Sequence, residues 1–141
     1  MSVEVFLDSN VLLYLFDEVD HRKRRIADRL VEEAILDGSA MISYQVAQEV
    51  LNVLGKKIDP RMSVADASRF LADTLEPLWR VQPSARLLLS ALSVRERYGF
   101  SFYDSMIVAA ALSAGCSRLL SEDLQHGQRI EGLTIENPFL R

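Results

Sequence analysis

The chain has 141 residues, about half of them apolar, a size and composition that suit one compact domain, residues 1–141, with a substantial core. Acidic side chains number 20 against 16 basic ones, a net charge of −4, which does not favour binding to nucleic-acid phosphates. A single cysteine, Cys116, excludes an intrachain disulfide and cysteine-based zinc sites and is compatible with a reducing cytoplasm.

In chain order, Val3–Leu7 is short, apolar and β-branched, and predicts a buried strand ending at Asp8. Asn10–Phe16 predicts a short apolar helix. The charged stretch from Asp17 continues as an amphipathic helix to Asp37, with Ile26, Leu30, Val31, Ala34 and Ile35 as its apolar positions and Gly38 as its stop. Ala40–Ser43 predicts a second strand. Tyr44–Leu54 predicts a helix closed by Gly55, and Lys56–Arg61, with Pro60, a loop.

Ser63 and Asp66 resemble a capping box that opens a helix to Leu75. Leu78–Val81 predicts a third strand. Pro83 and Ser84 open a helix to Tyr98, and Ser101–Ala114 predicts another, stopped by Gly115. Leu119–Ser121 predicts a fourth strand and Leu133–Ile135 a fifth. Alternating strands and helices predict an α/β sandwich with a mostly parallel sheet, in which ligands bind beyond the carboxyl ends of the strands. No run is long and apolar enough for a membrane helix, and no basic segment followed by an apolar one suggests a signal peptide. A cytoplasmic protein is expected.

Four acids stand in apolar surroundings. Asp8 lies between two apolar runs, where it is either a helix cap or a functional carboxylate. Glu49 lies at the margin of the Val46–Val50–Val53–Leu54 face of its helix, where a glutamate taken alone is usually just solvated. Asp104 is the only charge between Gly99 and Ser117, and the helix after it is apolar on every side. Such a helix is normally buried, so Asp104 is expected to be a buried carboxylate in need of a partner, or half of a capping box with Ser101. Asp123 follows the fourth strand, with Glu122 beside it as a competitor for the same role. Clustered carboxylates repel one another and need a counter-charge. With no lysine in these segments and no histidine or cysteine cluster, a hard divalent cation such as Mg²⁺ or Mn²⁺ fits oxygen-only ligands.

The segments that hold these acids resemble the PIN domains, and among them the VapC-like toxins of bacterial toxin–antitoxin pairs. Phe6-Leu7-Asp8-Ser9-Asn10-Val11-Leu12-Leu13-Tyr14 resembles the family's first motif and Ser43–Val50, with Glu49, its second. Phe102-Tyr103-Asp104-Ser105 through Ala111 resembles the third, Leu120–Gly127 the fourth, and Asn137-Pro138-Phe139 the usual ending. The resemblance implies a three-layer α/β/α sandwich with a central sheet of four to five strands. It implies a Mg²⁺- or Mn²⁺-dependent endoribonuclease whose cation is held by Asp8, Glu49, Asp104 and Asp123, with Asn10 and Ser121 in support. Water would be the nucleophile, and the products would carry a 5′-phosphate and a 3′-hydroxyl. A homodimer and a small antitoxin partner are implied as well.

If the four acids hold cations, the rest of the chain is neutral. Arg22, Lys23, Arg24 and Arg25, with Arg29, Lys56, Lys57 and Arg61, then become either phosphate contacts or a solvated charged face. His21 and His126 are expected at the surface, Cys116 in the core or a turn, and Trp79 and Phe70 in core or dimer contacts. Two other functions compete. A PIN fold can grip RNA or protein without cutting. An aspartyl-phosphate phosphatase also places an aspartate after its first strand, but Asn10 stands where its second aspartate belongs and no lysine accompanies the fourth strand.

Overall fold

The structure is a computed structural model that describes residues 4–56 and 61–141. Val3 and the loop positions Lys57 to Pro60 lie outside the described residues. The strands are β1 (Val5–Leu7), β2 (Ala40–Ser43), β3 (Trp79–Val81), β4 (Arg118–Leu120), β5 (Arg129–Ile130) and β6 (Leu133–Glu136). They form one sheet in the order β3-β2-β1-β4-β6-β5, parallel except for β5, which pairs antiparallel with β6. This is the expected mostly parallel sheet with one strand more. The two-residue β5 is too short to carry an alternating pattern in sequence, and Gly132, in the turn between it and β6, was the local signal for a hairpin.

Phe6 and Leu7 in β1, all of β2, and Leu119 and Leu120 in β4 are buried at successive positions, so both faces of the central strands are covered. The covering helices are α1 (Ser9–Leu13), α2 (His21–Asp37), α3 (Tyr44–Lys56), α4 (Val64–Phe70), α5 (Glu76–Leu78), α6 (Ala85–Tyr98) and α7 (Phe102–Ser113). Together with the sheet they make an α/β/α sandwich, in which α1 meets α2 and α3, and α6 packs along α7.

The helix ends follow local chemistry. Asp20, Ser63, Ser84 and Ser101 each accept a backbone N–H from the first turn of the helix that follows. Gly38 ends α2 at φ 69°, in the left-handed region that glycine enters without steric cost. Three expectations shift. Tyr14–Phe16 tightens into a 3₁₀ turn after α1. α3 runs through Gly55 to Lys56. The helix opened by Ser63 passes through a π turn, Leu71–Leu75, and continues to Leu78, where burial of Leu75 and Leu78 rewards the extension. Among the described residues no helix is long and apolar enough to cross a membrane.

Candidate active site

The chain leaves β1 toward β2 on one side and reaches β4 on the other, so the crevice beyond β1 and β4 is the topological switch point of the sheet. Asp8 follows β1 there, and Ser121, Glu122 and Asp123 follow β4. The two strand ends are joined by the Asp8 N–H, which donates to the Leu120 carbonyl at 3.0 Å.

Asp8 is 5 % exposed. Its Oδ1 accepts the Ser9 N–H at 2.7 Å and its Oδ2 accepts the Ser121 hydroxyl at 2.8 Å. Asp8 is therefore both the cap of α1 and a buried carboxylate, and the two expectations coexist. Burial, opposed by these hydrogen bonds and reinforced by the charges of Glu49 and Asp123, pushes its pKa up to about 6.

Asn10 is the hub of the cluster. Its Nδ2 donates to Asp123 Oδ2 at 3.1 Å, to Ser121 Oγ at 3.3 Å and to Asp8 Oδ2 at 3.4 Å. Its Oδ1 accepts the Glu122 N–H at 3.0 Å. The Ser121 hydroxyl, fully buried, also accepts the Asp123 N–H at 3.1 Å. One amide and one hydroxyl thus hold Asp8 and Asp123 in a single polar network.

Glu49 is half-buried on α3, and its Oε1 accepts the Gln45 Nε2 at 2.9 Å. The same Gln45 nitrogen donates to the Tyr103 carbonyl at 3.2 Å, which ties α3 to the start of α7 beside Asp104. Gln45 was not singled out in the sequence, although its place four residues before Glu49 on one helix face was the available signal. Asp104 itself is half-buried in the first turn of α7, not deeply buried as the apolar helix suggested. The buried positions of α7 begin at Ser105, while the helix start lies at the rim. Ser101 Oγ accepts the Asp104 N–H at 3.1 Å, so the cap exists, and the Asp104 carboxylate has no hydrogen-bond partner among the described residues.

Glu122 does not join the acids. It accepts hydrogen bonds from Tyr14 and from Lys23, away from Asp123. Lys23, half-exposed like Arg22 and Arg24, is consequently engaged by Glu122, whereas Arg25 and Arg29 on α2 are exposed. Cys116 is buried, and burial pushes its thiol up to about 11, far from nucleophilic. His21 and His126 are exposed, the latter accepting the Asn137 N–H at 2.9 Å. Trp79 packs on Tyr44 and Phe70 on Phe16.

Among the described residues no three acidic, histidine or cysteine side chains converge closely enough to hold one ion by themselves. The donor set still fits a hard divalent cation. Mg²⁺ binds through one or two carboxylates and keeps several waters, and the mutual repulsion felt at Asp8 is the cost that such a cation relieves.

The PIN domain family pattern matches residues 5–129 of the chain. No curated protein matches it in sequence. Among solved structures, a toxin–antitoxin complex from Klebsiella pneumoniae superposes with a TM-score of 0.70 at 20 % identity, over 96 % of this chain and 98 % of that one. VapBC2 from Rickettsia felis, bound to a DNA fragment from its promoter, gives 0.65 at 20 % identity over 94 % and 97 %. VapC20 from Mycobacterium tuberculosis, a sarcin–ricin loop cleaving toxin, gives 0.63 at 25 % identity over 85 % and 92 %. A pattern that spans nearly the whole chain, on an α/β/α fold with acids gathered at its switch point, means that this chain belongs to the PIN domain family.

Proposed function

We propose that the protein is a divalent-metal-dependent endoribonuclease, the toxin of a toxin–antitoxin pair, with Asp8, Glu49, Asp104 and Asp123 as its acidic site. The observation that carries this function is the buried Asp8, raised to about 6 by burial and by the neighbouring Glu49 and Asp123 carboxylates. A structure keeps a buried, repelled carboxylate for a reason, and acid–base or cation chemistry at a cleft is the reason this arrangement supports. Asp8, Glu49 and Asp123 would hold the cation, with Asp104 extending the set from α7. When bound, Mg²⁺ or Mn²⁺ supplies Lewis acidity toward the phosphate and lowers the pKa of water.

The chain's own residues do the rest. Ser121 and Asn10 orient Asp8 and Asp123, and Gln45 orients Glu49. The attacking water gives a proton to a carboxylate of the set as its oxygen bonds phosphorus, the P–O3′ bond breaks, and the leaving 3′-oxygen takes up a proton from solvent, so that the products carry a 5′-phosphate and a 3′-hydroxyl. Arg22, Arg24 and Arg25 lie in the same first turns of α2 as Lys23, which reaches the loop after β4, and are the nearest basic side chains in sequence to offer a phosphate backbone. Tyr103, 70 % exposed beside Asp104, offers a ring on which an unstacked base can lie, a feature suited to single-stranded RNA. The toxin role and the antitoxin partner are supported by the structural likeness to VapC20 and to toxin–antitoxin complexes, and the homodimer by the resemblance to the VapC-like toxins.

Cleavage of end-labelled single-stranded RNAs with Mg²⁺, Mn²⁺ or EDTA tests the activity. Wild type is expected to cut only with a divalent cation, and Asp8→Asn and Asp123→Asn each to lose about 100-fold or more while remaining folded. Full cleavage by both variants would overturn the site. A wild type that binds these RNAs with both cations present and cuts none of them would establish the non-cutting binding module instead. Growth arrest on expression, relieved by a co-expressed antitoxin, tests the toxin role.

A further inference from the structure

Glu122 lies in sequence between two residues of the site, Ser121 and Asp123, yet its carboxylate turns away from them. It accepts hydrogen bonds from the Tyr14 hydroxyl and the Lys23 ammonium. Lys23 Nζ also lies 3.2 Å from the Tyr14 oxygen, 5.0 Å from the centre of the Tyr14 ring and 5.8 Å from that of Phe139. The two rings meet edge to face at 4.7 Å. Phe139 is itself fixed, being 3 % exposed and donating its N–H to Asn137 Oδ1 at 2.9 Å. The turn after α1 and the start of α2 therefore meet at the carboxylate of the loop after β4, and the C-terminal segment backs them through Phe139.

Lys23 is anchored at both ends, its backbone N–H donating to Asp20 Oδ1 at 3.0 Å in the first turn of α2 and its ammonium to Glu122. The Glu122 N–H, in turn, donates to Asn10 Oδ1, and that bond sets which end of the Asn10 amide faces Asp8 and Asp123. Holding Glu122 thus fixes the donor that joins the two aspartates. It also keeps a further flexible carboxylate from swinging toward Asp123.

We infer that Lys23 and Tyr14, backed by Phe139, form a clamp on Glu122 that positions Asn10, Ser121 and Asp123 against Asp8, and that Glu122 is a positioning residue and not a cation ligand. The inference rests on the proposed nuclease function and names how that site is held. It also assigns Lys23 to the clamp and leaves phosphate contact to the neighbouring arginines.

The test is a double-mutant cycle in the full chain with Lys23→Met, Glu122→Gln and the pair, plus Lys23→Arg. Each variant is read by kcat and KM for RNA cleavage, by the salt dependence of KM, and by Mn²⁺ titration calorimetry without RNA. Lys23→Met is expected to lower kcat and Mn²⁺ affinity by about tenfold with KM and its salt dependence unchanged. Glu122→Gln, whose carbonyl can still accept from Tyr14 and Lys23, is expected to lose less. The double variant is expected to be no worse than Lys23→Met alone, and Lys23→Arg to restore most of the loss. If Lys23→Met alone unfolds, the double variant, which removes both charges together, and Lys23→Arg are compared with Glu122→Gln in its place. A higher KM with a shallower salt dependence in Lys23→Met, whatever residue stands at 122, would make Lys23 a phosphate contact and overturn the inference. Loss of Mn²⁺ binding in Glu122→Gln as deep as in Asp123→Asn would make Glu122 a ligand and overturn it too. A wild type that neither cuts RNA nor binds Mn²⁺ would overturn the proposed function and the inference with it, whereas an active wild type with uncoupled variants overturns the inference alone.

Discussion

Asp8 sits where a charge is least welcome, and its protonation links the site to stability. Its carboxyl is raised from 3.8 to about 6 on folding, first by burial and then by Glu49 and Asp123. Below pH 4 the group is protonated in both the folded and the unfolded chain. Between pH 4 and 6 the unfolded chain releases the proton and the folded one keeps it, so the folded state binds more protons and loses stability as pH rises. The loss is about 3 kcal/mol by pH 7. In denaturant titrations with EDTA, wild type is therefore expected to weaken from pH 4 to 7 more steeply than Asp8→Asn, which has no proton to lose. Parallel pH profiles for the two would remove Asp8 as the source. Beside it, Asn10 carries more of the site than its supporting place in the motif suggests, because one amide serves Asp8, Ser121, Asp123 and the Glu122 backbone.

At the scale of elements, α7 explains both what was expected and what shifted. Its apolar character on every side matches a helix buried along Ile107 to Ala111 and packed on α6. The helix starts at the rim, capped by Ser101, so its first turn leaves Asp104 half-exposed next to Glu49's partner Gln45. One residue further in, Ser105 is fully buried, and its hydroxyl has no hydrogen-bond partner among the described residues. A buried hydroxyl without a partner costs free energy that a methyl group does not. Ser105→Ala is accordingly expected to raise unfolding free energy by about 1 kcal/mol, measured by urea titration. A destabilised variant would mean that Ser105 has a partner in solution. The loop after β4 behaves differently, since its shape comes from side chains of other elements: Asn10 after β1, Tyr14 after α1, Lys23 of α2 and, through His126, the backbone of Asn137.

For the whole molecule, the net charge is −4. Asp8 and Asp123 follow the carboxyl ends of β1 and β4, and Lys23, among the basic residues that open α2, reaches the loop after β4. A cation bound among the acids would turn this region from repelling a phosphate backbone to admitting it. The same binding is linked to folding, because the unfolded chain has no assembled site. At one hundred times its Kd, Mn²⁺ is expected to stabilise wild type by about 2.7 kcal/mol. The rise in Tm is expected to be smaller at pH 5 than at pH 7, because a proton competes for Asp8. Equal shifts at both pH values, or equal shifts in Asp8→Asn, would argue that Mn²⁺ binds elsewhere.

By itself, the sequence determined whatever is encoded locally. Apolar runs located β1, β2 and β4, serine and aspartate caps and the left-handed Gly38 marked helix ends, and the isolated acids Asp8, Glu49, Asp104 and Asp123 were visible against apolar neighbours. These signals are short-range, depending on residues within a turn or a strand of one another. Tertiary structure alone decided which acid is buried, because burial is set by where strand ends and helix starts meet; it chose Asp8 over Asp104. It likewise separated Glu122 from Asp123. The two are adjacent in sequence, and only partners about a hundred residues away, Lys23 and Tyr14, distinguish them.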